Sequence, residues 1–127
     1  MPLRCCFWLC CLVLSSPIRA QVELKQDAVV YFGSATKATA PATIDEDQVK
    51  QATTEWKTIQ AEGVRRGSAR YLLLTGQMDK RIREAVRSVV AEASKDLVVR
   101  AGDVTDAKGK NVVDLTAEVA RKIDKTP

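Results

Sequence analysis

Apolar residues along this chain change their spacing from segment to segment, and each spacing predicts an element. Val22, Leu24 and then Ala28-Val29-Val30-Tyr31-Phe32 are β-prone runs closed by Gly33-Ser34, which predicts a strand over 22–32. Residues 33–42, rich in Ala and Thr with Pro41 near the end, predict a linker. Thr43-Ile44-Asp45-Glu46 fits a capping box, and Asp45, Glu46 and Asp47 place negative charge where a helix dipole favours it. Val49, Ala52, Trp56 and Ile59 then form one apolar seam, while Thr53-Thr54 allows a second cap and so two short helices instead of one. Gly63 and Gly67 bracket a predicted C-cap and turn. A longer seam follows in Leu74, Met78, Ile82, Ala85, Val86, Val89, Val90 and Ala93, reaching back through Tyr71 and Leu72. An antiparallel hairpin is the simplest packing of the two seams, giving a helical arm over 43–94 about 30 Å long. A single helix kinked at 63–67 is the alternative.

The tail changes character. Leu97-Val98-Val99 is a compact β-branched run after Asp96, and Val112-Val113 is a short apolar pair suited to an edge strand. Between them lies a polar turn with Lys108-Gly109-Lys110. Asp114-Leu115-Thr116 predicts the cap of a last helix with Val119, Ala120 and Ile123 on its inner face and Arg121, Lys122 and Lys125 toward its end. The strand and final helix together span 96–124. The predicted fold is α+β: a helical hairpin, a short coiled-coil arm, attached to a small β-body of terminal strands, with a C-terminal helix. Residues 21–127 are expected to form a single domain.

Composition sharpens the picture at the N-terminus. Arg4, the apolar stretch Cys5–Leu14, the helix breaker Ser15-Ser16-Pro17 and the small Ala20 before Gln21 have the layout of a cleavable signal peptide over 1–20. An uncleaved anchor and a lipoprotein leader are rivals. The apolar stretch is short for a span, however, and Phe7-Trp8-Leu9 before Cys10 lacks the small residues of a lipoprotein processing site. All 4 cysteines, Cys5, Cys6, Cys10 and Cys11, fall within that leader, so the exported domain has no disulfide framework and depends on packing or oligomerisation.

The same counts limit the chemistry. The chain has no histidine, and residues 21–127 have no cysteine, which removes Ser-His-Asp and Cys-His nucleophiles and the usual zinc ligands. The expectation is a non-enzymatic protein without cofactor or metal. The one oxygen-only candidate, Asp103, Asp106 and Asp114, lacks the glycine and closing glutamate of an EF-hand loop and reads better as solvated turn acids. Of the 20 basic residues, Arg4 and Arg19 belong to the leader, leaving 18 against 16 acids. Their distribution is uneven: Arg65, Arg66, Arg70, Lys80, Arg81, Arg83 and Arg87 face only Asp79 and Glu84 in that stretch. Such a stripe attracts acidic partners or an anionic membrane surface, unless it is simply a solvated helix face. Without interleaved aromatics it does not suggest nucleic acid. Trp56, Tyr71, Leu72 and Leu73 are more apolar bulk than a two-helix arm readily hides, so some of them are candidates to face another molecule.

The exported N-terminus, the order of elements and the C-terminal half resemble the OmpH/Skp family of periplasmic chaperones. The likeness rests on a helix over Asp79–Ala93 leading into Asp96-Leu97-Val98-Val99, then a polar turn and Val113-Asp114-Leu115-Thr116-Ala117-Glu118-Val119. The resemblance implies a trimeric β-body with projecting helical arms, a periplasmic location, and unfolded outer-membrane or envelope proteins as clients. It is similar to a reduced member, because family arms are much longer and Lys95 stands where an aromatic residue often precedes the strand. On this reading Trp56, Ile59, Tyr71, Leu72 and Met78 contact the client, and Arg65, Arg66, Arg70, Arg81, Arg83 and Arg87 supply electrostatic attraction. The alternative is a small cell-envelope interaction protein that docks one specific partner without chaperone activity.

Overall fold

The computed structural model describes residues 21–127; the expected leader over 1–20 lies outside the described residues. In chain order the elements are β1 (Glu23–Leu24), β2 (Val30–Gly33), β3 (Pro41–Ile44), α1 (Glu46–Ala52), α2 (Thr54–Glu62), α3 (Ala69–Ala93), β4 (Leu97–Arg100), β5 (Val104–Asp106), β6 (Val113–Asp114) and α4 (Thr116–Lys125). This is the α+β class expected, with the C-terminal helix in place. The main sheet runs β2-β4-β3-β6, and β1 pairs with β5 in a separate ribbon. β4 is antiparallel to β2 and parallel to β3, so the three helices between β3 and β4 form the long crossover that parallel neighbours require.

Both faces of the sheet are covered. Leu97, Val98 and Val99 are fully buried, and their side chains alternate between two clusters. Val98 joins Tyr31, Ala42, Ile44 and the inner faces of α1, α3 and α4 in the larger core. Leu97 and Val99 pack on the other side against Val22 and Ala38. The seam read from α3 is the buried one: Met78, Ile82, Ala85, Val86, Val89 and Val90 face inward. Before Met78, no α3 residue is buried.

Three local expectations are corrected. The strand over 22–32 is two strands, because the polar Lys25-Gln26-Asp27 turns the chain, with the Ala28 amide donating to the Lys25 carbonyl at 3.1 Å. The end of the supposed linker is β3, and Pro41 stands at its first position, where a missing amide is tolerated. Thr43 therefore lies in a strand. Asp45 caps α1 instead, its carboxylate accepting from the Asp47 and Gln48 amides at 3.0 and 3.2 Å. Elsewhere the structure chooses between open alternatives. Thr53 separates two short helices, accepting from the Trp56 amide at 3.2 Å. Gly63 and Gly67 take left-handed φ of 58° and 81°, so the arm turns back as a hairpin and is not a kinked single helix.

Aspartates pin the loops of the β-body. Asp96 accepts from the Thr39 amide and hydroxyl at 2.7 and 2.8 Å and from the Ala40 amide at 2.8 Å. Asp103 accepts from the Val29 amide at 2.9 Å and from Arg100 at 3.1 Å. Desolvation raises the pKa of both, but these donors outweigh it and hold both carboxyls below the ordinary range. Hydrogen bonds also lower Asp106, through Lys108, and Asp114, through Thr116. Asp103, Asp106 and Asp114 thus serve separate local bonds, and among the described residues no group of three or more His, Cys, Asp or Glu is placed to hold a metal ion.

A pH dependence follows. Carboxyls with depressed folded pKa add stability that is complete above the unfolded value of about 4 and disappears as pH falls through the folded values. The melting temperature should therefore drop below about pH 4. With no histidine, no side chain has its ordinary pKa between pH 5 and 8, so the curve should be nearly flat there. Thermal melts monitored by circular dichroism at pH 7 and pH 3 check this; equal midpoints would show that the aspartate bonds do not stabilise the fold.

Candidate binding site at the end of the helical hairpin

The antiparallel pair α2 and α3 is stitched by two ion pairs. Arg81 Nε lies 3.1 Å from both oxygens of the nearly buried Glu55 near the sheet end, and Arg70 pairs with Glu62 near the turn. Because the seam of α3 is buried only from Met78 onward, its first two turns extend past the sheet core. Tyr71-Leu72-Leu73-Leu74 occupies all sides of that extension, since four consecutive residues sample every face of a helix. The protein's own packing uses only part of it. Tyr71 and Leu74 are half-buried, whereas Leu72 and Leu73 are 62% and 61% exposed and are the large apolar residues most open to solvent among those described.

The expected client-contacting residues do not share one surface. Ile59 and Met78 are 4% and 5% exposed, inside the protein's own core. Trp56 packs half-buried against that core, with the Lys50 ammonium 5.9 Å from its ring centre. Tyr71 is half-buried, and Leu72 alone of the five is open to solvent. The basic stripe is divided as well. Arg70, Arg81 and Arg83 are tied to Glu62, Glu55 and Asp79 respectively. Arg83 also donates to the Val30 carbonyl at 3.1 Å and lies 5.4 Å from the Tyr31 ring centre. Arg65, Arg66 and Arg87 are exposed and have no ion pair among the described residues.

A cleft of about 360 Å³ opens at the root of the extension, between β2, α1 and α3. It brings Trp56, Arg66, Tyr71 and Met78 together with residues that the sequence reading placed only in regular elements: Tyr31, Glu46, Lys50, Thr75, Asp79 and Ile82. Tyr31 was legible as a strand residue, but nothing in its neighbours signals that its ring lines a cleft formed with helices from later in the chain. Burial pushes the Tyr31 phenol well up, and the neighbouring Glu46 carboxylate raises it further. That hydroxyl therefore stays protonated. Glu46 in turn pairs with Lys50 at 3.0 Å, and Asp79 with Arg83 at 2.9 Å.

A larger cleft of about 580 Å³ lies on the far side of α3, lined by Glu55, Lys80, Arg81, Glu84 and Lys122 among others. Its cations are already engaged: Arg81 with Glu55, Lys122 with Glu92 at 2.9 Å, and Arg81 also with the Thr126 and Pro127 carbonyls. The hairpin end is distinguished from it by exposed apolar groups, aromatic walls and unpaired arginine. Compared with known proteins, the chain matches no family model, no curated protein and no solved structure.

Proposed function

We propose that this chain is an exported, non-enzymatic binding protein, OmpH/Skp-like in organisation, that holds unfolded or membrane-destined polypeptide at the end of its helical hairpin. The observation that carries the reading is the exposed Leu72-Leu73 pair beside half-buried Tyr71 and Trp56, with the unpaired Arg65 and Arg66 in the adjoining turn. Exposed leucines on a helix that already has a buried seam favour contact with a second apolar surface. The arginines attract acidic segments of a client and speed encounter, an effect that weakens with salt. Self-association through the β-body and a periplasmic setting belong to the same reading.

The grip is narrow. Ile59 and Met78 serve the protein's own core, so a client meets a short end and not a lined arm, which also favours the second reading, docking of one specific envelope partner. An aggregation assay on several unrelated unfolded envelope proteins separates the two. General binding predicts protection of most of them, and Leu72→Ser/Leu73→Ser should require at least about tenfold more protein for the same protection. Because both side chains are exposed, the double variant should melt within about 1 kcal/mol of the parent. Protection by the variant equal to the parent's, in a protein that is still folded, would remove the hairpin end from the mechanism. Protection of one client alone would favour the specific-partner reading.

A further inference from the structure

We propose that the cleft between β2, α1 and α3 is a binding site for an aromatic or branched apolar group that carries an adjacent carboxylate. The lining is mixed: the half-buried rings of Trp56 and Tyr71 and the edge of buried Tyr31 stand among Glu46, Lys50, Thr75 and Asp79, over the buried Met78 and Ile82. A volume of about 360 Å³ is at the small end of ligand pockets, enough for one ring and its substituent and too small for a folded element.

Charge bookkeeping inside the cleft identifies the polar half of the ligand. Glu46 is neutralised by Lys50 at 3.0 Å. Asp79 is neutralised by Arg83 at 2.9 Å. The Thr75 hydroxyl is turned back to the Tyr71 and Leu72 carbonyls at 2.9 and 3.1 Å. Arg66, at the rim, remains: an exposed guanidinium with no ion pair among the described residues. A planar guanidinium beside aromatic side chains selects a carboxylate attached to an aromatic or apolar group, holding the carboxylate through two parallel hydrogen bonds. A purely apolar ligand would leave Arg66 unused, and a purely anionic one would gain only a solvent-screened ion pair.

The chemistry has two sources, a free aromatic acid or the carboxyl end of a polypeptide whose last side chain is apolar. It does not rest on polypeptide capture at Leu72 and Leu73, which do not line the cleft. The chain has 2 tryptophans, so the test uses the full chain with Trp8→Phe, leaving Trp56 as the reporter inside the site. N-acetylphenylalanine should change Trp56 emission saturably, and N-acetylphenylalaninamide, which lacks the carboxylate, should bind about tenfold more weakly. Arg66→Gln should bind the acid as weakly as the parent binds the amide, Arg66→Lys should recover part of the difference, and Leu72→Ser/Leu73→Ser should bind like the parent. A pentapeptide ending in phenylalanine distinguishes the sources: tighter binding than the small acid assigns the site to chain ends, and equal binding assigns it to free acids. Equal affinity for acid and amide, or no saturable change with either, overturns the proposal.

Discussion

Gly33→Ala should destabilise the protein by about 3 kcal/mol or more and lower its melting temperature by upwards of about 10 °C. Gly33 ends β2 opposite Leu97 and has a φ of 80°, a conformation that costs an L-residue about 1–2 kcal/mol. The second penalty is steric. A Cβ there would lie 1.9 Å from the Asp96 carbonyl oxygen, a backbone atom and not the end of a flexible side chain. Asp96 has little freedom to retreat, because its carboxylate ties down Thr39 and Ala40 and the next residue, Leu97, is fully buried. Gly63→Ala is the matched control: its φ is 58°, but a Cβ there meets nothing within 4 Å, so only the conformational cost of about 1 kcal/mol applies. Urea unfolding of the two variants checks the argument, and equal midpoints would show that the close approach of β2 to Asp96 does not matter.

Leu97→Ala should cost a similar amount, about 2–5 kcal/mol, and its effect should be directional. Leu97 lies in β4, one of the two inner strands of the main sheet, and its side chain points to the sheet face covered by Val22 and Ala38 rather than to the helices. The cavity would therefore open beneath the N-terminal segment, which is otherwise held by the β1–β5 pairing and by bonds such as the Lys25 amide to the Asp103 carbonyl at 2.9 Å. Hydrogen exchange should accelerate at Leu24 and Lys25 more than along α3, where Val86 and Val89 remain packed. Uniform acceleration across the chain would mean that the two cores unfold as one unit.

Both substitutions fall in the sheet and outside the exposed part of the hairpin, and this division bears on function. The sheet and the second half of α3 form the buried base, while the first turns of α3 with Leu72, Leu73 and the Arg65-Arg66 turn extend beyond the buried seam. Loss of binding after changes at the end can thus be read as loss of contact and not of fold.

Periodicity carried much of the architecture. The seam from Met78 to Val90, the turn between Gly63 and Gly67, the strand at Leu97–Val99 and the final helix with Val119 and Ile123 inside were all legible, because each depends on neighbours within a few residues. The site was legible only in pieces. The excess of apolar bulk at Tyr71–Leu73 was visible, yet which of those residues would be exposed was not, since four adjacent apolar positions point every way around a helix. Ile59 and Met78 carried the same apolar signal as Leu72, and only their packing against the rest of the chain separates core from surface.

What the sequence by itself determined is the set of local decisions: that helical seams run through Met78–Ala93 and Val119–Ile123, which face of each is apolar, and that residues 21–127 have neither histidine nor cysteine chemistry. What only the tertiary structure decided is every pairing across the chain. It placed Pro41–Ile44 in the sheet between β4 and β6, moved the α1 cap from Thr43 to Asp45, set Arg81 on Glu55, and brought Tyr31 to Trp56 and Tyr71 around one cleft. The physical reason is range. Capping and helical periodicity are fixed by residues within one or two turns, whereas strand partners and clefts join positions tens of residues apart whose sequences carry no mark of one another.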